Sequence, residues 1–232
     1  MSDSRSNPPV AAGRKLSVRP LPDPPIAGRR QRRAAETRER LFRSALQLFG
    51  ERGFANVTVQ DITETADVGK GTFFNYFQSK DHVLGMMAEI QVARVNGAMA
   101  LVAGGRQSIR SVLHRLALKL AEEPGRSPEL ARAVISAFLA STVVREIVDR
   151  RIAEGRKVVA EFIAEGQRRG EINPRLDKEM VAMQFQQAEM GTILMWSLNG
   201  GPPLAARIEE SFLHFWRAIA RPAGKPSREK EL

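Results

Sequence analysis

An all-α fold is predicted by two features of this sequence. From Leu41 onward, apolar residues return at helical spacing with no strand-type alternation, and no proline interrupts the chain between Pro25 and Pro124. Glycines, prolines and capping residues then divide the helical stretch into segments. The first, 34–51, places Leu41, Phe42, Ala45, Leu46, Leu48 and Phe49 on one broad stripe and stops at Gly53. Short helices are expected at 59–66 and 70–77, and longer ones at 80–101, 107–122, 128–139 and 141–169, the last ending at Gly170. Two more, 177–198 and 204–220, are separated by Asn199-Gly200-Gly201-Pro202-Pro203. No internal repeat is present.

Composition narrows the function. The chain has 232 residues and no cysteine, which excludes disulfides, thiolate metal sites and cysteine nucleophiles, and its three histidines make a histidine-rich metal site a poor expectation. No stretch has the length of an apolar membrane span, and the first thirty residues lack the apolar core of a signal peptide, so a cytoplasmic protein is expected. The net charge of +10 favours a polyanionic partner, yet +6 of it lies in residues 1–33, where eight basic residues face only Asp3 and Asp23. Those residues also hold six of the thirteen prolines and few large apolar side chains, so 1–33 is expected to be a disordered basic arm. It reads equally as a phosphate-holding or minor-groove arm and as a solvated tail. Residues 221–232 are expected to be a flexible tail.

Function must then be argued from the ordered part. Thr58 precedes the stripe Val59, Ile62 and Ala66, and Asp61 follows it by the three residues of a capping box, so a helix begins there. After Asp67-Val68-Gly69, the run Lys70-Gly71-Thr72-Phe73-Phe74-Asn75-Tyr76-Phe77 forms a second short helix. Two helices of this length are unstable alone, and packed against 34–51 they make the three-helix scaffold of a helix-turn-helix. Phe73 and Phe77, spaced i, i+4, point inward. Lys70, Phe74, Asn75 and Tyr76 are left on other faces, suited to phosphates, thymine methyls and adenine edges. Gly71 permits close backbone approach, and Thr72 can donate to a phosphate near the helix N-terminus.

In this order of residues, with Gly53-Phe54 before them and Ser79-Lys80-Asp81 after, residues 35–95 resemble the DNA-binding domain of the TetR (tetracycline-repressor-like) family. The resemblance implies that Lys70, Gly71, Thr72, Phe74, Asn75 and Tyr76 face the major groove and its phosphates, with Arg38, Thr58 and Lys80 clamping the backbone. Asp67 stands where the family usually has glycine, and Gly69 replaces the usual hydroxyl N-cap. Residues 96–220 resemble the family's helical ligand-binding and dimerisation region only loosely, through helix number and lengths and the Gly170-Glu171-Ile172 and Asp177 junction.

These features imply a dimeric, sequence-specific DNA-binding transcriptional regulator, a repressor of a palindromic operator that responds to a small, largely apolar effector. The expected partners are double-stranded DNA and a second copy of the chain, with no cofactor, no metal and no membrane. The rival expectation is a ligand-independent architectural DNA-binding protein. An enzyme is disfavoured, because no nucleophile elbow, phosphate-binding loop or metal-ligand spacing occurs. For the dimer contact, Ala188, Gly191, Thr192 and Ser197 are expected to meet Leu204, Ile208, Phe212, Phe215 and Trp216, unless that stripe packs within the chain. Met86, Met87, Met99, Met183, Met190 and Met195, with Phe138, Phe162, Phe185 and Trp196, are pocket candidates or ordinary core. His114 and His214 are candidate ligand contacts or plain surface groups.

Overall fold

The computed structural model describes residues 28–222 apart from Arg106, so the expected arm up to residue 27 and the tail from 223 lie outside the described residues. Helix α1 spans Arg29–Arg52, α2 Val59–Thr65, α3 Lys70–Phe74, α4 Lys80–Ala103 and α5 Ile109–Ala121. After a 3₁₀ turn at Pro124–Arg126 come α6 Pro128–Ala140, α7 Thr142–Arg168, α8 Lys178–Asn199 and α9 Leu204–Ile219. The described residues contain no strand, only an isolated bridge between Ile172 and Ala220.

Local chemistry sets most boundaries. Side-chain oxygens of Thr58, Ser79, Ser108, Ser127, Ser141 and Asp177 accept backbone N–H groups in the first turns of α2 and α4 to α8, satisfying donors that have no intrahelical partner. Gly53 and Gly200, both at positive φ, end α1 and α8. Helix α1 starts at Arg29, so residues 29–33 are helical and not part of an irregular arm. Arginine and alanine are good helix formers, no proline follows Pro25 until Pro124, and the Gly28 amide donates to Gln31 Oε1 at 3.3 Å, so the α1 ladder extends N-terminally. Helix α3 is shorter than expected, with Asn75 and Tyr76 in the turn that closes it.

Two clusters of buried side chains hold the molecule together. One joins Leu41, Phe42, Leu46 and Phe49 of α1 to Ile62, Phe73, Phe77, Val83 and Leu84. It also takes Leu130, Ala133 and Ala137 of α6 and Val144 of α7, so helices distant in sequence brace the N-terminal three. The second cluster is built from the far end of α4 with α5, α7, α8 and α9, around Leu113, Phe162, Ile163, Ile172, Phe185 and Trp216. Each fully buried large side chain contributes roughly 1.5–3 kcal/mol. Helices α4 and α7 run side by side in the same direction, Gly85 abutting Ile147 and Gly155 facing Val95. Among the described residues no helix is long and apolar enough to cross a membrane.

Candidate DNA-binding interface

The α2–α3 unit is presented by a tightly satisfied frame. The Thr58 hydroxyl accepts the Asp61 amide at 3.1 Å and donates to Asp61 Oδ2 at 2.5 Å, while the Thr58 amide donates to the same oxygen at 2.7 Å. The Thr58 hydroxyl, then its amide, hold the Asp61 carboxyl below the usual carboxylate range, with Arg52 at 3.2 Å adding to the effect. The turn between the helices needs one left-handed residue, and Asp67 supplies it at φ 51°, in the place where glycine was the expected family residue. Gly69 caps α3 without a side-chain bond.

Phe73 and Phe77 are buried, with ring centroids 5.5 Å apart. Phe74, on the opposite side of α3, is 54% exposed, and Lys70, Gly71 and Asn75 are exposed beside it. Thr72 and Tyr76 are half-buried, Tyr76 resting against the N-terminal core. A cation, an amide and an aromatic ring thus share one solvent face with a glycine whose added Cβ would meet nothing within 4 Å. Those groups can meet phosphates, base edges and thymine methyls together.

The three expected backbone clamps have other work here. Lys80 Nζ donates to the carbonyls of Phe54, Ala55 and Val57 at 2.9, 3.1 and 2.9 Å and lies 4.7 Å from the centroid of the Phe54 ring. An ammonium has three donors, and the loop after Gly53 turns three carbonyls toward it, so Lys80 ties the start of α4 to the α1–α2 loop. In this structure Lys80 is thus an internal brace of the α1–α2 loop. Thr58 likewise gives its donors to Asp61. Arg38 pairs with Glu89 at 2.8 Å and lies over the Phe77 ring, joining α1 to α4. Exposed cations lie instead at Arg29, Arg30, Arg32 and Arg33 in the first turns of α1, of which Arg32 approaches Glu36 at 3.8 Å.

Away from this face, two expectations change. Ser197, Leu204, Ile208, Phe212 and Trp216 are buried inside the chain, because the α9 stripe recurs every four residues and packs on α5 and α8. The large apolar side chains that α8 and α9 expose are Met180, Met190, Leu194, Met195 and Leu198 of α8 and Leu213 of α9, with exposed Gly191 beside Met190. The pocket candidates also disperse. Met86, Met87 and Phe138 belong with the N-terminal cluster, Phe162, Phe185 and Trp196 are core, and Met190 and Met195 are exposed. His114 stacks on Phe212 at 5.0 Å, and His214 is exposed. One buried group was not singled out from sequence: Glu189 of α8, on the same stripe as Val181, Ala182, Phe185 and Trp196. A lone acidic residue four positions after Phe185 on an apolar stripe was its available signal.

Comparison with known proteins follows the same geometry. Residues 41–86 match the family described as "Bacterial regulatory proteins, tetR family". The HTH-type transcriptional regulator TcmR of Streptomyces glaucescens is 43% identical over 67 residues, covering 29% of this chain and 29% of that protein. The HTH-type transcriptional repressor DhaR of Mycobacterium sp. (strain GP1) is 27% identical over 164 residues, 70% of this chain and 83% of that protein. Among solved structures, FadR of Thermus thermophilus, a TetR-family transcriptional repressor in complex with lauroyl-CoA, superposes with a TM-score of 0.58 at 26% identity, covering 82% of this chain and 98% of that one. The fold and the α2–α3 face are those of a helix-turn-helix transcription factor. The match over residues 41–86 places the helix-turn-helix in the TetR family of transcriptional regulators, a family of DNA-binding proteins.

Proposed function

We propose that this protein is a ligand-responsive repressor that binds a palindromic operator as a homodimer. The observation that carries the reading is the α3 face, where Lys70, Gly71, Phe74 and Asn75 are exposed around a buried Phe73. In this reading those residues, with Thr72 and Tyr76, contact the major groove, and the arginines that open α1 hold flanking phosphates. The role expected of Lys80, and in part of Thr58 and Arg38, passes to positioning α2 and α3.

Dimerisation is assigned to α8 and α9. Met190, Leu194 and Leu198 follow one another by four residues on an exposed face, with Met195 and Gly191 beside them, and Gly191 leaves room for a second helix to approach. Two copies joined there carry two α3 helices, which on B-form DNA read half-sites about 34 Å apart or a multiple of it. The effector, small and largely apolar, enters the bundle of α4, α5, α7, α8 and α9 and favours a dimer whose α3 helices no longer fit successive grooves. Residues 35–95 then form the DNA-binding part and 96–220 the effector and dimer part, in the cytoplasm where bacterial DNA is reached.

Selection of bound sequences from random DNA at physiological salt tests this. A recurrent palindrome that the Asn75→Ala protein no longer enriches is the expected result. Binding without any enriched sequence, lost steeply with salt, is the result of an architectural protein and overturns the reading.

A further inference from the structure

Within the proposed effector region, one buried carboxyl group has an oxygen left without a polar partner. Glu189 is 7% exposed on the inward stripe of α8, and its Oε2 has no hydrogen-bond partner among the described residues. Gln91 of α4 has a similar imbalance. Its amide Nε2 donates to the Leu120 carbonyl at 2.9 Å, while its buried Oε1 accepts nothing.

The two orphan acceptors lie at one height of the bundle. Helix α8 runs antiparallel to α7, with Lys178 bonded to Glu161 and Arg156 to Gln186, which puts Glu189 level with Ile152. Helix α4 runs parallel to α7, with Gly85 against Ile147 and Val95 against Gly155, which puts Gln91 at the same level. About one turn further along α7, Gly155 presents no side chain, and a Cβ there would meet Val95 at 3.9 Å. Of the neighbouring polar groups, Arg156 donates to Gln186 and His114 of α5 lies against the Phe212 ring, while Arg207 at the start of α9 donates to the Gly200 carbonyl and keeps a buried, unpartnered Nε. Around them the walls are apolar, with Val95, Leu116 and Phe185 buried.

We infer that the bundle takes an effector with an apolar body and a positively charged, hydrogen-bond-donating head, an amine, with Glu189 as its counter-charge and Gln91 Oε1 as a second acceptor. A ligand of that chemistry supplies the donors that the protein's own side chains leave missing, whereas a carboxylate or phosphate head would set anion against acceptor. Burial alone pushes the Glu189 carboxyl up to about 8, so near neutrality it holds a proton, and the arriving ammonium takes that proton's place as the proton leaves to solvent. This assignment rests on the proposed ligand response and names its chemical class.

The test uses the full-length protein and probes of equal chain length: n-decylammonium, n-decanol and n-decanoate, each below its micelle concentration, with lauroyl-CoA as an anionic comparison. Binding is read by calorimetry and by thermal shift without DNA. Decylammonium is expected to raise Tm and to bind about 10- to 100-fold more tightly than decanol or decanoate. Glu189→Gln, nearly isosteric and free of the buried charge, removes that preference, and Gln91→Leu reduces it by a smaller factor. Equal affinity of decylammonium for the wild-type and Glu189→Gln proteins, no binding of decylammonium, or preference for decanoate or lauroyl-CoA each overturns the inference. Operator selection is scored separately. Glu189-dependent amine binding by a protein that selects no operator leaves the inference standing and removes the repressor reading, while operator release by lauroyl-CoA alone does the reverse.

Discussion

The two halves of this molecule treat their polar groups in opposite ways. Around α2 and α3 the polar groups are committed to one another, with three carbonyls on Lys80 and two donors of Thr58 on Asp61. In the bundle from the middle of α4 to α9, Gln91 Oε1, Glu189 Oε2 and Arg207 Nε are buried without partners. Apolar exposure divides similarly. Phe74 is the large exposed hydrophobic residue of the helix-turn-helix, while α8 alone exposes Met180, Met190, Leu194, Met195 and Leu198. A reading head has to present fixed geometry to DNA, and a sensing and pairing region has to gain contacts from something else.

The largest effect that sharpens this contrast lies inside the reading head. Phe73→Ala removes a fully buried ring and is expected to cost about 3–5 kcal/mol in urea unfolding. Phe74→Ala should change stability by less than about 0.5 kcal/mol while weakening operator binding in a mobility-shift titration. If both variants lose stability equally, α3 has no distinct outward face.

Glu189 gives the contrast a pH signature. Burial holds its carboxyl up at about 8 in the folded chain against an ordinary 4.5, so between those values the native state keeps a proton that the unfolded chain has released. Stability therefore falls as pH rises across that window, the reverse of what Asp61 and Glu165 contribute, whose lowered values add stability that is lost on acidification. Glu189→Gln should be more stable than wild type by on the order of 2–4 kcal/mol at pH 8, with the difference shrinking toward pH 4.5. A constant difference at all pH values in denaturant titrations would show that the carboxyl titrates normally, and the contrast would lose its chief witness.

Lys80→Met is the matching perturbation on the N-terminal side. It keeps the aliphatic stem over Phe54 but leaves three carbonyls without their ammonium, for an expected loss of about 2–3 kcal/mol. Operator affinity should fall with the loss of fold, and the salt dependence of binding by the remaining folded protein should be unchanged. Intact stability with a shallower salt slope would return Lys80 to the role of phosphate clamp.

These cases also mark what could be read from the residues in order. Helix limits were legible wherever serine, threonine, aspartate, glycine or proline stood at an end, and the inward positions of Phe73 and Phe77 followed from spacing. The start of α1 was not, because four arginines after a proline-rich stretch resemble an arm until their backbone bonds are seen. The amphipathic stripe of α9 was legible but not its partner: periodicity identifies an apolar face without saying whether it packs on α5 or on a second chain. The bonds of Lys80 were not legible either, because three carbonyls on a loop more than twenty residues earlier leave no trace in local sequence. Glu189, following Gln186 and Gln187, drew no expectation from the sequence, and only its burial on the inward stripe of α8 singles it out.

The smallest expected change in stability decides the most about DNA. Gly71 has no positive φ and open space where a Cβ would go, so nothing in the folded chain requires glycine there. Gly71→Ala should leave the protein equally stable or stabilise it by up to about 1 kcal/mol, since alanine favours the helix. If the α3 backbone lies against DNA, the same methyl group occupies the space between them, and operator affinity drops although the free protein is unharmed. That split, a Tm unchanged or raised together with a weaker mobility shift, separates a glycine kept for contact with DNA from one tolerated by chance. A variant with unaltered affinity would move the close approach away from Gly71 and leave the side chains of Lys70, Phe74 and Asn75 to carry recognition.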